Sequence, residues 1–176
     1  MREIGMKLLL KSLPELVIIL STTVLSMPTF ASEIYSIYLV RHAEKQKNID
    51  NPPLTSCGRL RARQLATLLA DVELKTIYST STQRTMATAQ PISQVKKLAI
   101  KNYSGNDLTQ FAFSLKQLKQ NVLVVGHSNT TPQLVELLIE EKVLPIEDHQ
   151  YQHLYQVQFF EEKINLTLFK QPLICR

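Results

Sequence analysis

Ile34-Tyr35-Ser36-Ile37-Tyr38-Leu39-Val40 runs straight into Arg41-His42, and Asn121-Val122-Leu123-Val124-Val125-Gly126 runs straight into His127-Ser128-Asn129. Each run is short and almost wholly apolar, and each ends on a polar or basic group. Apolar runs of this length without polar alternation read as strands buried on both faces. Such strands need a cover on each side, and the intervening segments supply it. Thr55 or Ser56 caps a helix carrying Leu60, Leu65, Leu68 and Leu69. Thr82 to about Gln94 reads as a second helix, which Pro91 is expected to kink or end. Asp107 to Lys119 places Leu108, Phe111, Leu115 and Leu118 at helical spacing. Thr130 or Thr131 opens a fourth helix with Pro132 in its first turn, followed by Leu134, Leu137, Leu138 and Val143. Thr76–Ser79 is a further short strand, and Tyr155–Phe160 with Ile164–Lys170 forms a closing hairpin around Glu161-Glu162. Strands alternating with helices predict an α/β fold of three layers, a mainly parallel central sheet with helices on both faces.

The chain has 176 residues, with 44% hydrophobic and 20% charged, which excludes collagen-like, coiled-coil and wholly disordered chains. Two cysteines cannot build an all-cysteine zinc site or a disulfide-dense scaffold. The formal charge of +5 suits an anionic substrate but is too diffuse to predict nucleic acid. At the amino end, Lys7 and Lys11 precede the apolar run Leu16 to Leu25, and Pro28-Thr29-Phe30-Ala31 follows. That is the order of a secretory signal, with cleavage expected after Ala31. The apolar run falls short of the ~20 residues of a spanning helix. The working domain is therefore expected to be residues 32–176, periplasmic or secreted, without a stable membrane span after cleavage. In an oxidising compartment Cys57 and Cys175 are a candidate disulfide, the alternative being two inert buried thiols.

Open α/β sheets bind ligands beyond the carboxyl ends of their strands. Here those ends deliver Arg41-His42 and His127-Ser128-Asn129, and the strand ending at Ser79 leads to Arg84. Arginine offers a planar fork that matches phosphate oxygens. A neutral, oriented histidine is a nucleophile, and a second can donate to the charge developing on phosphoryl oxygens. Each histidine taken alone is equally a polar loop residue.

Four segments, in order, carry a resemblance. Tyr38-Leu39-Val40-Arg41-His42-Ala43-Glu44 resembles the RHG signature of the histidine phosphatase superfamily, the group that includes the cofactor-dependent phosphoglycerate mutases. Pro53-Leu54-Thr55-Ser56-Cys57-Gly58-Arg59-Leu60-Arg61-Ala62 is similar to its "LTxxGxxRA" helix start. The segment from Tyr78 to Ala89 resembles its "SSxxxRxxxTA" pattern, with Thr80 for the second serine. Val124-Val125-Gly126-His127-Ser128-Asn129 resembles the strand and loop of the second histidine. The resemblance implies a phosphoglycerate mutase-like fold, no metal and no cofactor. It implies His42 as the residue that becomes phosphohistidine, Arg41 and Arg84 as phosphate ligands, and His127 as the second pocket histidine. Asn48 and Ser128 are further candidates for phosphate contact.

Ala43 replaces the signature glycine, and Ser128 replaces the glycine after the second histidine. The short stretch between Arg84 and His127 leaves little space for mutase-type insertions. The expected activity is thus an exported, metal-independent phosphatase acting on a small phosphorylated substrate. An envelope phosphate is one candidate, by analogy with lipopolysaccharide core heptose phosphatases. A phosphomutase and a non-catalytic phosphate-binding module are the alternatives. The carboxylates available as general acid are Glu44 and Asp107. Asp107 equally suits a helix N-terminus, and Glu44 equally suits orienting its loop or pairing with Lys45 or Arg59. His149 and His153 lack an evident third metal ligand, and the aromatic residues from Tyr151 to Phe160 read as core rather than as a stacking platform.

Overall fold

The computed structural model describes residues 34–173. The expected signal segment 1–31, the position of its cleavage and Cys175 lie outside them. Ten elements follow in the order β1 (Tyr35–Arg41), α1 (Ser56–Leu68), β2 (Thr76–Ser79), α2 (Gln83–Lys96), β3 (Ile100–Asn102), α3 (Leu108–Leu118), β4 (Val122–Gly126), α4 (Thr130–Ile139), β5 (His153–Phe160) and β6 (Lys163–Lys170). The sheet order is β3-β2-β4-β1-β5-β6. The first four strands of the chain run parallel, and β5 and β6 are antiparallel additions at one edge.

Side-chain alternation along β1 divides the core in two. Ile37 and Leu39 pack with Val122 and Val124 against Ala112 and Leu115 of α3 and Leu134, Val135 and Leu138 of α4. Tyr38 and Val40 pack with Leu123 and Val125 against Leu65 and Ala66 of α1 and Ala89 and Ile92 of α2. All seven residues of β1 and all five of β4 are buried, as expected of runs that are almost wholly apolar; the polar members of β1 are Ser36 and Arg41.

Two helices, α1 and α3, start on side-chain caps. The Thr55 hydroxyl accepts from the Gly58 amide, 3.0 Å away, and the Asp107 carboxylate accepts from the Gln110 amide, also at 3.0 Å. Two features here depart from the sequence reading. Pro91 does not end α2, which continues to Lys96. A proline removes one intrahelical donor and crowds one carbonyl. The packing of Ala89 and Ile92 into the core outweighs that loss. Strand β3 carries no sequence signal, because three partly exposed residues at a sheet edge need no apolar pattern.

Candidate active site

Parallel pairing of β1 and β4 sets Arg41 opposite Gly126, so the two strands stop side by side. The His42 amide donates to the Gly126 carbonyl at 2.9 Å, which fixes the residue after β1 to the end of β4. His42 and His127 then stand with ring centroids 5.5 Å apart at 68°. Gly126 is obligatory at this junction. A Cβ there would lie 2.7 Å from Tyr103 Oη and 2.9 Å from Thr131 Oγ1.

His42 is 3% exposed, and its Nδ1 lies 2.8 Å from the Ala43 carbonyl oxygen. A carbonyl only accepts, so Nδ1 carries the proton and Nε2 keeps its lone pair. Burial pushes the His42 pKa down to about 3, and the bond to Ala43 opposes that while Arg41, Arg84 and His127 add to it. The imidazole is therefore neutral and oriented across ordinary pH, the state a nucleophile needs.

The same depression makes stability pH-dependent. The unfolded histidine takes up a proton near pH 6.5 and the native one does not, so stability is lost as pH falls below 6.5. His42 alone is expected to remove about 2 kcal/mol between pH 6.5 and 5. Denaturant titrations at both pH values check this: His42→Gln should show a visibly shallower loss than the unsubstituted protein.

His127 is held by a chain of hydroxyls. Its Nε2 donates to Thr80 Oγ1 at 2.9 Å, and Thr80 donates to Thr85 Oγ1 at 3.0 Å. Thr85 in turn donates to the Thr80 carbonyl at 2.8 Å. Arg84 Nη2 donates to His127 Nδ1 at 3.3 Å, which assigns the tautomer. Burial, then Arg84 and Arg41, push the His127 pKa down to about 4. Arg84 sits in the first turn of α2, and its Nε is buried without a protein partner. Thr88 ties this helix to the first loop, accepting from the Ala43 amide at 3.0 Å and donating to the Arg84 carbonyl at 2.7 Å. Thr80, Thr85 and Thr88 escaped the sequence reading as supports of the site. Their roles are hydrogen-bond geometry across β2 and α2, and a threonine in a loop carries no signature of that.

Arg41 is 5% exposed and is gripped by the segment before β5. Its Nη1 donates to the carbonyls of Glu147 at 2.9 Å, Asp148 at 3.1 Å and Gln150 at 3.3 Å. Its Nη2 lies 3.7 Å from the Asp148 carboxylate, and its Nε is buried without a protein partner. The guanidinium carbon stands 4.3 Å from the centroid of the Tyr151 ring, a cation–π contact. Tyr151 therefore packs on Arg41 rather than in the core, while Tyr155 and Phe159 are core. Its ring centroid is 6.1 Å from that of His42, so it also borders the histidine pair.

The two carboxylates are placed differently from each other. Glu44 is not paired with Lys45 or Arg59; it takes Arg61 in a fork, with Arg61 Nη2 at 2.6 Å and Nε at 2.9 Å from Oε1. Arg61 is buried, whereas Arg59 turns to the Leu54 carbonyl and the Ser56 hydroxyl. Asp107 caps α3, as described. Asn48 is exposed, with a φ of 58°, and lines a cavity beside Arg41. Ser128 follows His127 and is partly buried. Cys57, on α1, is disulfide-bonded, and the only other cysteine of the chain is Cys175. His149 is exposed while His153 is buried at the start of β5. Among the described residues no group of three or more histidines, cysteines or acids stands close enough to hold a metal.

Comparison with known proteins agrees with this geometry. Residues 37–105 match the model of the histidine phosphatase superfamily (branch 1), a span that contains Arg41, His42 and Arg84. The fold supplies His127, which lies beyond that span. No curated protein matches the sequence. The structure of the α-ribazole phosphatase from Shigella flexneri is similar with a TM-score of 0.64 at 18% identity, covering 77% of this chain and 96% of that one. The protein histidine phosphatase SixA, solved with tungstate, is similar with a TM-score of 0.65 at 17% identity, covering 77% and 97%. Residues 37–105 thus carry the match to the histidine phosphatase superfamily, and the fold brings the arginine and the two histidines at its strand ends together.

Proposed function

We propose that the protein is an exported, metal-independent phosphatase that hydrolyses a phosphomonoester through a phosphohistidine on His42. The observation that carries this reading is the state of His42: buried, neutral, and oriented by Ala43 so that Nε2 holds a free lone pair beside Arg84 and His127. Nε2 attacks phosphorus, the N–P bond forms, and the P–O bond to the leaving group breaks with its electron pair on oxygen. Water then attacks the phosphohistidine, releasing inorganic phosphate and returning the lone pair to Nε2. The guanidinium groups of Arg41 and Arg84 offset the charge on the equatorial oxygens.

The general acid is the restricted part of this chemistry. Glu44 is committed to the Arg61 fork, and Asp107 to capping α3. The reading therefore favours substrates whose leaving group departs with little help, such as aryl esters, anhydrides or phosphoramidates. The order of residues 1–31 supports a periplasmic or secreted setting, which puts envelope-borne phosphates among the substrates to screen.

Hydrolysis of an aryl phosphate by the purified protein, with and without a strong chelator, tests the proposal. Turnover is expected to be unchanged by chelation. A loss of tenfold or more that a divalent ion restores would overturn the metal-free mechanism.

A further inference from the structure

Strand β6 is an edge of the sheet. It pairs with β5 and, among the described residues, with nothing on its other side. A free edge is a row of unpaired amides and carbonyls, and folded proteins keep such edges short, bulged or charged. The opposite edge, β3, is three residues long. Strand β6 runs for eight, and every one of them is exposed. Alternation sorts them onto two faces. Ile164, Leu166 and Leu168 stand opposite Phe159, Val157 and Tyr155, which belong to the core under α3 and α4. The three carry that apolar face out to the edge, where they remain 38%, 38% and 45% exposed. A cavity of about 590 Å³ on the same face adds Val143, Leu144 and Pro145 to Leu166 and Leu168, and Leu144 is 85% exposed. We propose that this edge is the interface of a homodimer, in which β6 pairs antiparallel with β6 of a second copy and the two sheets join into one.

The sequence of the edge selects both the partner and the register. Directly opposed residues of an antiparallel pair share a face. A twofold axis through such a pair therefore passes through one residue and its own copy. With the axis at Leu166, Leu166 meets Leu166 of the other copy, Ile164 meets Leu168, and Glu162 meets Lys170. With the axis at Thr167, Ile164 would face Lys170; with the axis at Asn165, Glu162 would face Leu168. Of these registers, the one centred on Leu166 sets apolar against apolar and acid against base. Neither Glu162 nor Lys170 has an ion pair among the described residues, so both charges are available to a second copy. Symmetry makes the Glu162–Lys170 contact twice, once at each end of the apolar ladder. The edge is thus complementary to itself in charge as well as in hydrophobicity. The exposed Leu144 of each protomer lies on the face of the joined sheet that carries the ladder. The dimer does not depend on the chemistry at His42.

Sedimentation equilibrium of the purified protein over a concentration series tests this. A monomer–dimer equilibrium with Kd in the micromolar range is expected, because one strand pair and a short apolar ladder make a small interface. Leu166→Lys sets two like charges against each other on the axis and should weaken the dimer by at least about tenfold. Lys170→Glu, which then faces Glu162 of the other copy, should weaken it by about threefold or more. Adding Glu162→Lys to that variant reverses both charges and should bring the dissociation constant back to within about twofold of the parent. All three positions are exposed, so each variant should keep the far-ultraviolet circular dichroism of the parent. A protein that is monomeric up to about 1 mM overturns the dimer. A dimer that Leu166→Lys leaves as tight as before overturns the β6 interface. A charge-reversed double variant no tighter than Lys170→Glu alone overturns the pairing of Glu162 with Lys170, and with it the register.

Discussion

His42→Ala is expected to lower kcat/KM on any accepted phosphomonoester by at least about 10³-fold, with most of the loss in kcat. The three other pocket groups remain in this variant. Arg41 is still gripped by the carbonyls of Glu147, Asp148 and Gln150, and His127 is still anchored on Thr80. Affinity for inorganic phosphate should therefore change only a fewfold. Water cannot substitute for the lone pair on Nε2, because nothing else in the pocket forms the covalent intermediate that splits the reaction into two easier steps. A role for His42 in binding alone would produce the opposite division, with KM raised and kcat kept. Steady-state kinetics beside a thermal melt separate loss of chemistry from loss of fold.

Gly58→Ala is expected to destabilise the protein by about 2–4 kcal/mol and to reduce activity with it. Glycine is required there for space rather than for its backbone angles. A Cβ on Gly58 would lie 2.2 Å from the Glu44 carbonyl oxygen. That oxygen accepts from the Thr55 amide at 2.9 Å, and this bond docks the start of α1 on the loop that follows His42. Making room for a methyl group separates α1 from the loop and strains the Arg61–Glu44 fork. Gly105→Ala is the control, since a Cβ there meets only Thr130 Cγ2, at 3.3 Å, which can shift. Denaturant midpoints should fall sharply for Gly58→Ala and little for Gly105→Ala.

The legible parts of the sequence were those where one physical demand writes a local pattern. Burial on both faces left β1 and β4 as almost wholly apolar runs, and their ends carry the basic groups that the parallel register brings together. Caps at Thr55 and Asp107 marked the helix starts. What stayed hidden depends on contacts between distant segments. Arg59, Arg61 and Arg63 look alike in sequence, yet only Arg61 is buried and reaches Glu44. The acceptors for Arg41 are backbone carbonyls about a hundred residues away, and any residue type supplies a carbonyl. Tyr151 reads as one more apolar residue before a strand until the chain turns it onto Arg41. The fold was therefore readable from periodicity, and the histidines and arginines from their places at strand ends. The hydroxyl chain behind His127 and the loop that grips Arg41 were not.

The proposed mechanism turns on a covalent bond between phosphorus and His42. The direct measurement is rapid acid-free quenching of the protein during turnover of a phosphomonoester, followed by digestion and mass analysis of the peptide containing residues 41–45. A phosphoryl group on His42 that is stable in alkali, labile in acid and absent from His42→Ala is the predicted result. Full turnover with no phosphoryl group on that histidine, or with the group on another residue, would contradict the mechanism.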